Sequence, residues 1–137
     1  MKLLHIMSDL AAIASSGSNV IIEAVPEVLD IKRQVFTSTF DTLKANAVPP
    51  EDVLICSNTI SIPVENIILG LDEVYSCRCV GARFLYPVLF VDDVVLTTHS
   101  RNTIGLIHTI TLKLRTLQLK PTVRGSLRWR FCRRFGP

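Results

Sequence analysis

Residues 19–36, NVIIEAVPEVLDIKRQVF, and residues 53–61, VLICSNTIS, decide how this chain folds. Val20, Ile21 and Ile22 form a short β-branched run that ends on an acidic turn, Glu23 to Glu27. Leu29, Ile31, Val35, Phe36, Phe40 and Leu43 then recur at helical spacing, and Val53 to Cys56 is a second apolar run. Strand, crossover helix and strand make a unit whose two strands run parallel in one sheet. Any ligand crevice then lies outside their carboxyl ends, at Glu27 and Asn58. The same periodicity turns Lys32, Arg33, Gln34 and Asp41 outward.

On the amino-terminal side, Ser8 ahead of Asp9-Leu10-Ala11-Ala12-Ile13-Ala14 predicts a capped helix, ended by the Ser15–Ser18 stretch with Gly17. On the carboxyl side, Pro49-Pro50 stops the crossover helix, and Pro63 opens a short helix over 64–71. Strands follow at Val80–Tyr86, closed by Pro87, and at Val94–Thr98. Ser100 then caps a helix running to about Leu119, with Ile104, Ile107, Ile110 or Thr111, Leu114 and Leu117 on its apolar face. Thr122-Val123 starts a last strand. The fold class is α/β: a partial Rossmann-type, mostly parallel sheet with flanking helices.

The composition fits this. Of 137 residues 48% are hydrophobic and 20% charged, which reads as globular rather than disordered. All twelve acidic residues lie before Val94 with six Lys or Arg among them, a net charge of −6, whereas the nine Lys or Arg from there on stand without an acid, +9. No window approaches the roughly 18 unbroken apolar residues of a membrane span. The opening MKLLHIMSDLAAIA is interrupted by His5 and Asp9, is poor in Arg, and so reads as neither secretory nor mitochondrial leader; FGP at the end is no peroxisomal address. A cytoplasmic protein with reduced thiols at Cys56, Cys77, Cys79 and Cys132 is expected.

VIIEAVPEVLDIKRQVF, then SNTISI about twenty residues later, then GARFLYPV, together resemble the NAD-binding domain of the L-3-hydroxyacyl-CoA dehydrogenases of fatty-acid oxidation. The likeness runs from near Ser8 to near Gly125 and covers the later part of that domain. It divides the chain into residues 1–125, the dehydrogenase-like portion, and residues 126–137, a basic aromatic tail expected to be disordered. It also implies NAD as cofactor, and Glu27, Lys32 and Asn58 as cofactor-binding positions near the nicotinamide and its ribose. From the residues alone, the favoured reading is Glu27 as a first-turn acid, Lys32 as a solvated cation and Asn58 as a turn residue.

Dinucleotide-binding sheets cradle the pyrophosphate in a G-x-G-x-x-G turn at a helix amino terminus. The six glycines here show no such pattern. The chain therefore reads as a fragment or degenerate copy of the family, its apolar first strand left as a sheet edge that invites homo- or hetero-oligomer formation.

In the family the resemblance points to, a histidine takes the hydroxyl proton, a glutamate orients it, and a serine and an asparagine hold the substrate oxygen. Those positions fall on Arg83, Val95, Ile60 and Tyr86. Arginine does not accept a proton at working pH, so the resemblance implies no catalytic residue and an inactive chain. The alternative function is a non-catalytic interaction module using the edge strand or the long helix. His99 reads as an ordinary surface histidine and His108 as a partly buried polar neighbour on the long helix. Cys77-x-Cys79 is too close for a zinc pair, so no metal site is expected. Arg128 to Phe135 alternates cation and aromatic, a weak polyanion-binding composition; nucleic acid is not the expected partner.

Overall fold

The computed structural model describes residues 9–87 and 89–125. The tail at 126–137 and the expected cap Ser8 lie outside the described residues. Helix α1 (Leu10–Ser15) starts on Asp9, whose carboxylate accepts from the Ala11 amide at 3.0 Å. Strand β1 (Val20–Glu23), helix α2 (Leu29–Ala45) and strand β2 (Leu54–Ser57) form the expected unit, with a 3₁₀ turn at Pro50–Asp52 between α2 and β2. Asp30 in the first turn and Lys44 in the last complement the α2 dipole, and the chain leaves the helix through Ala47 at φ 50° ahead of the two prolines. Two single-turn helices follow, α3 (Val64–Ile67) and α4 (Glu73–Ser76). The second was not expected. Asp72 makes it by accepting from the Val74 and Tyr75 amides, while its other oxygen pairs with Lys44 at 2.9 Å.

Strands β3 (Cys79–Phe84) and β4 (Asp93–Thr98), helix α5 (Ile104–Thr116) and strand β5 (Lys120–Gly125) complete a five-stranded sheet in sequential order. β1, β2 and β3 are parallel, β4 is antiparallel to β3, and β5 is parallel to β4. This is the expected mostly parallel α/β sheet.

Each face of the sheet has its own core. α2, α3 and α4 cover one face, where Phe36, Phe40, Leu43, Val64, Ile67 and Tyr75 pack on Val53, Ile55 and Cys79. α5 covers the other, where Leu106, Ile107 and Ile110 meet Leu54, Cys56, Val80, Ala82, Val94 and Leu96. Strand alternation sorts the residues: Ile55 and Cys79 face α2, Cys56 and Val80 face α5. Gly81 is required by the close approach of α3 and β4, since a Cβ there would run into Thr97 Oγ1 and lie 3.3 Å from Val64 Cγ2.

Four expectations need correction. Lys32 points inward and is fully buried, because the acids ahead of α2 draw its ammonium back over the end of the sheet. α5 begins three residues later than expected, capped by Thr103 rather than Ser100, because His99 to Asn102 closes a turn of its own. With that start Leu106 joins the buried stripe, while Ile104 and Leu117 are exposed. His108 falls on the solvent side of α5 and His99 is buried at 1% exposure, the reverse of the expectation for each.

Candidate functional site

The carboxyl ends of β1 and β2 carry a polar network. Glu23 closes β1 opposite Ser57 at the end of β2, so both side chains point to the α2 face. The Glu23 carboxylate accepts from Ser57 Oγ at 2.6 Å and from the Val25 amide at 2.7 Å. Lys32, in the first turn of α2, reaches it with Nζ 2.9 and 3.1 Å from the two carboxylate oxygens. The same ammonium lies 3.3 Å from the Val25 carbonyl and 3.3 Å from Glu27 Oε2. A buried cation thus ties two acids nine and five residues before it in the chain, and its pair with Glu23 is buried from solvent.

Glu27 looks the other way as well. Its Oε1 accepts from Thr59 Oγ1 at 2.7 Å, from the Ile60 and Ser61 amides at 2.9 Å each, and from the Ile62 amide at 3.2 Å. Burial is the largest influence on this carboxyl and acts against its charge. The amide of Ser61, the Thr59 hydroxyl and the Ile60 and Ile62 amides together outweigh it, and hold the pKa far below the ordinary carboxylate range. Glu27 is therefore ionised whenever the protein is folded near neutral pH.

Asn58 is half-buried. Its amide bonds the Glu23 carbonyl at 2.9 Å and its Oδ1 accepts from the Phe84 amide at 3.3 Å. No hydrogen bond among the described residues engages its Nδ2, which is left available. Beside this network, residues 59–65 with Thr97 and Thr98 line a cavity of about 230 Å³. Of the three positions singled out from sequence, Lys32 and Glu27 meet, while Asn58 lies at the same end of the sheet with its side chain bonded to β3. Lys32 is enclosed by protein acceptors, the Glu27 side chain is partly exposed, and Asn58 keeps a free donor. Glu23, Ser57 and Thr59 were missed. Their signal was an acid ending an apolar strand and hydroxyls ending the next, where a buried parallel sheet leaves polar groups in need of a partner.

The register also locates the positions that the resemblance assigns to chemistry. Arg83 on β3 lies directly opposite Val95 on β4, so the places of histidine and orienting glutamate face each other across one ladder. Ile60 is 65% exposed at the cavity wall and Tyr86 is 91% exposed beyond β3. A guanidinium and an isopropyl group offer no proton acceptor there.

His99 belongs to a different cluster, at the turn before α5. Its ring Nε2 lies 3.0 Å from both the Cys79 carbonyl and Asn102 Nδ2, and Nδ1 lies 3.3 Å from the Arg101 amide, which donates to it. Asn102 bonds the Cys77 and Cys79 carbonyls from Nδ2 and the His99 amide through Oδ1. Burial lowers the His99 pKa, against a smaller opposing effect of the Cys79 carbonyl. The folded chain thus holds fewer protons at His99 than the unfolded chain does near pH 6. The stability tied to neutral His99 is complete above the unfolded value of 6.5 and is lost as pH falls through 6.5 toward the lower folded value. Urea midpoints at pH 7.5 and 5.5 should differ, with a slope of no more than about 1.4 kcal/mol per pH unit. His99→Gln should remove that dependence.

A mostly parallel sheet, helices on both faces and a polar crevice at the strand carboxyl ends define a Rossmann-type α/β domain. A family model described as "3-hydroxyacyl-CoA dehydrogenase, NAD binding domain" matches residues 1–123, so the chain belongs to the 3-hydroxyacyl-CoA dehydrogenase NAD-binding-domain family. Among solved structures it is similar to 3-hydroxybutyryl-CoA dehydrogenase from Escherichia coli, with a TM-score of 0.75 and 21% identity over 88% of this chain and 23% of that one. (S)-3-hydroxybutyryl-CoA dehydrogenase from Ralstonia eutropha gives a TM-score of 0.74 and 19% identity over 88% and 39% of the two chains. The dehydrogenase part of multifunctional enzyme 1 from C. elegans gives 0.70 and 20% over 85% and 25%. At these identities the likeness establishes the fold, and the chain spans well under half the length of each of these structures. No curated protein sequence matches it. No helix among the described residues is long and apolar enough to cross a membrane.

Proposed function

We propose that this domain contributes the distal half of an NAD crevice, in a protein related to the enzymes that oxidise 3-hydroxyacyl-CoA, and performs no hydride transfer by itself. The observation that carries this reading is the placement of the Glu27–Lys32 pair and of Asn58 at the carboxyl ends of β1 and β2 in a member of an NAD-binding family. When bound, NAD would supply the hydride acceptor. The chain's own residues would hold its ribose hydroxyls: Oε2 of the partly exposed Glu27 as acceptor and Asn58 Nδ2 as donor, with Lys32 fixing the acid behind them. Arg83, Val95, Ile60 and Tyr86 leave the substrate hydroxyl without a base, which is why the role is binding rather than catalysis. On this reading the domain runs over residues 1–125 of the sequence.

Calorimetric titration of NADH into the folded chain tests it. Binding at tens of micromolar is expected, weakened about fivefold by Asn58→Ala, the equivalent of one hydrogen bond of about 1 kcal/mol. No heat from a folded chain would remove the cofactor role. Asn58 is the better probe than Lys32, whose loss disturbs the fold as well.

A second reading, a non-catalytic interaction module, is favoured by the edge strand β1. Val20 and Ile22 are 36% and 47% exposed on the face that α5 covers farther along the sheet, and no strand among the described residues pairs beyond β1. A partner strand, from a second copy or from a relative carrying a glycine-rich half, would extend the sheet there. Ile22→Lys should abolish concentration-dependent association in sedimentation without altering NADH titration.

A further inference from the structure

Loop residues 59–62, between β2 and α3, aim their polar hydrogens at one point. The Ile60 and Ser61 amides lie 2.9 Å from a single oxygen, the Ile62 amide 3.2 Å and the Thr59 hydroxyl 2.7 Å. Successive amides converging on one atom make a concave receptor for an anion. Here the anion is Glu27 Oε1, which arrives from 32 residues earlier, just ahead of α2. Its second oxygen rests 3.3 Å from the Lys32 ammonium, so the receptor and a buried cation hold the two ends of one carboxylate. No ladder bond reaches residues 59–62, since β2 ends at Ser57. The bonds that fix this loop run to Glu27, apart from those that Thr59 makes to the amide and carbonyl of Ile62 within the loop itself.

We propose that Glu27 is the resident anion of a carboxylate receptor formed by residues 59–62, and that its occupancy positions the wall of the adjoining cavity. Four of the cavity's nine lining residues are 59–62 and the next three, Pro63 to Glu65, follow directly in the chain, so where this loop rests sets the cavity's shape. Glu27 is in this respect a positioning residue, and that role is independent of whether the domain binds NAD. An empty receptor would accept a small free carboxylate, because the donors ask only for a planar anion of that size beside Lys32.

The full-length chain carrying Glu27→Gly tests this, with sodium formate or acetate as probe and sodium chloride at equal ionic strength as control. The variant should unfold about 5 °C below the parent. Formate or acetate should restore at least about half of that shift and should saturate, chloride should not, and the parent should respond to none of them. Equal stabilisation of parent and variant, or no difference between formate and chloride, would overturn the proposal. Glu27→Gln keeps the shape and removes the charge, and serves if the glycine variant does not fold. Amide exchange at Ile60 and Ser61 should then accelerate about tenfold; unchanged exchange would overturn the proposal equally. A failed NADH titration alongside successful formate rescue would strike only the cofactor role.

Discussion

Lys32→Met is expected to lower the free energy of unfolding by about 3–5 kcal/mol, the cost of leaving a buried acid without its cation. Glu23 is 5% exposed and Lys32 is not exposed at all, so water does not replace the lost ammonium. Glu23 would retain Ser57 Oγ and the Val25 amide, which soften the loss without balancing the charge. Urea denaturation of both proteins measures the loss. Glu23→Gln combined with Lys32→Met should recover most of the loss, since the fully buried charge is gone and Glu27, which also loses its cation, is part exposed and keeps its donors from residues 59–62. A cost below about 1 kcal/mol for the single variant would show that solvent reaches this pair. In that case Lys32 would be a candidate for direct contact with a ligand.

Phe40→Ala is expected to cost a similar amount, about 3–5 kcal/mol, by a different route. Phe40 is 2% exposed at the centre of the α2 core, with ring centroids 6.0 Å from Phe36 and 5.6 Å from Tyr75. Truncation loses the transfer energy of the ring and both aromatic contacts, and leaves a cavity between α2 and α4 that short helices fill poorly. Tyr75 also donates to the Val48 carbonyl at 2.7 Å, so a shift of its ring loosens the connection from α2 into β2. Phe40→Leu, which refills most of the volume, should cost less than half as much. Equilibrium urea midpoints with an unchanged m-value check both. A fall in m would instead indicate that the native state itself had opened.

Residues far apart in sequence carry the polar network, and this decided what could be read in advance. The β1–α2–β2 unit was legible because its signals are local. β-branched residues mark the strands, a 3.6-residue period marks the helix, and a proline pair stops it. The parallel pairing followed from the crossover, and the crevice position from the parallel pairing. Boundaries set by a single side chain were not legible. Asp72 starts α4, and Asn102 together with His99 delays α5, through bonds that the local apolar pattern does not specify.

Lys32 shows the limit most plainly. On a helical wheel it shares the buried stripe of Phe36, Phe40 and Leu43, and only its charge makes it read as solvated. Its burial depends on Glu23 and Glu27 lying within 3.3 Å of one point once β1 is laid beneath the first turn of α2. His99 was misread for the same reason. Nothing near it in the chain explains its burial, whereas Cys79, twenty residues earlier, supplies the carbonyl that holds its ring.

Most of the elements, the parallel order of the first strands and the family resemblance were legible in residue order alone. These depend on residue type and short-range spacing. Only the tertiary structure decided that Lys32 is a buried structural cation, that Glu27 serves the loop at 59–62, and that Asn58 keeps a free donor. The direction of a polar side chain is settled by which distant partners compensate its desolvation, and strand register and helix packing bring those partners together.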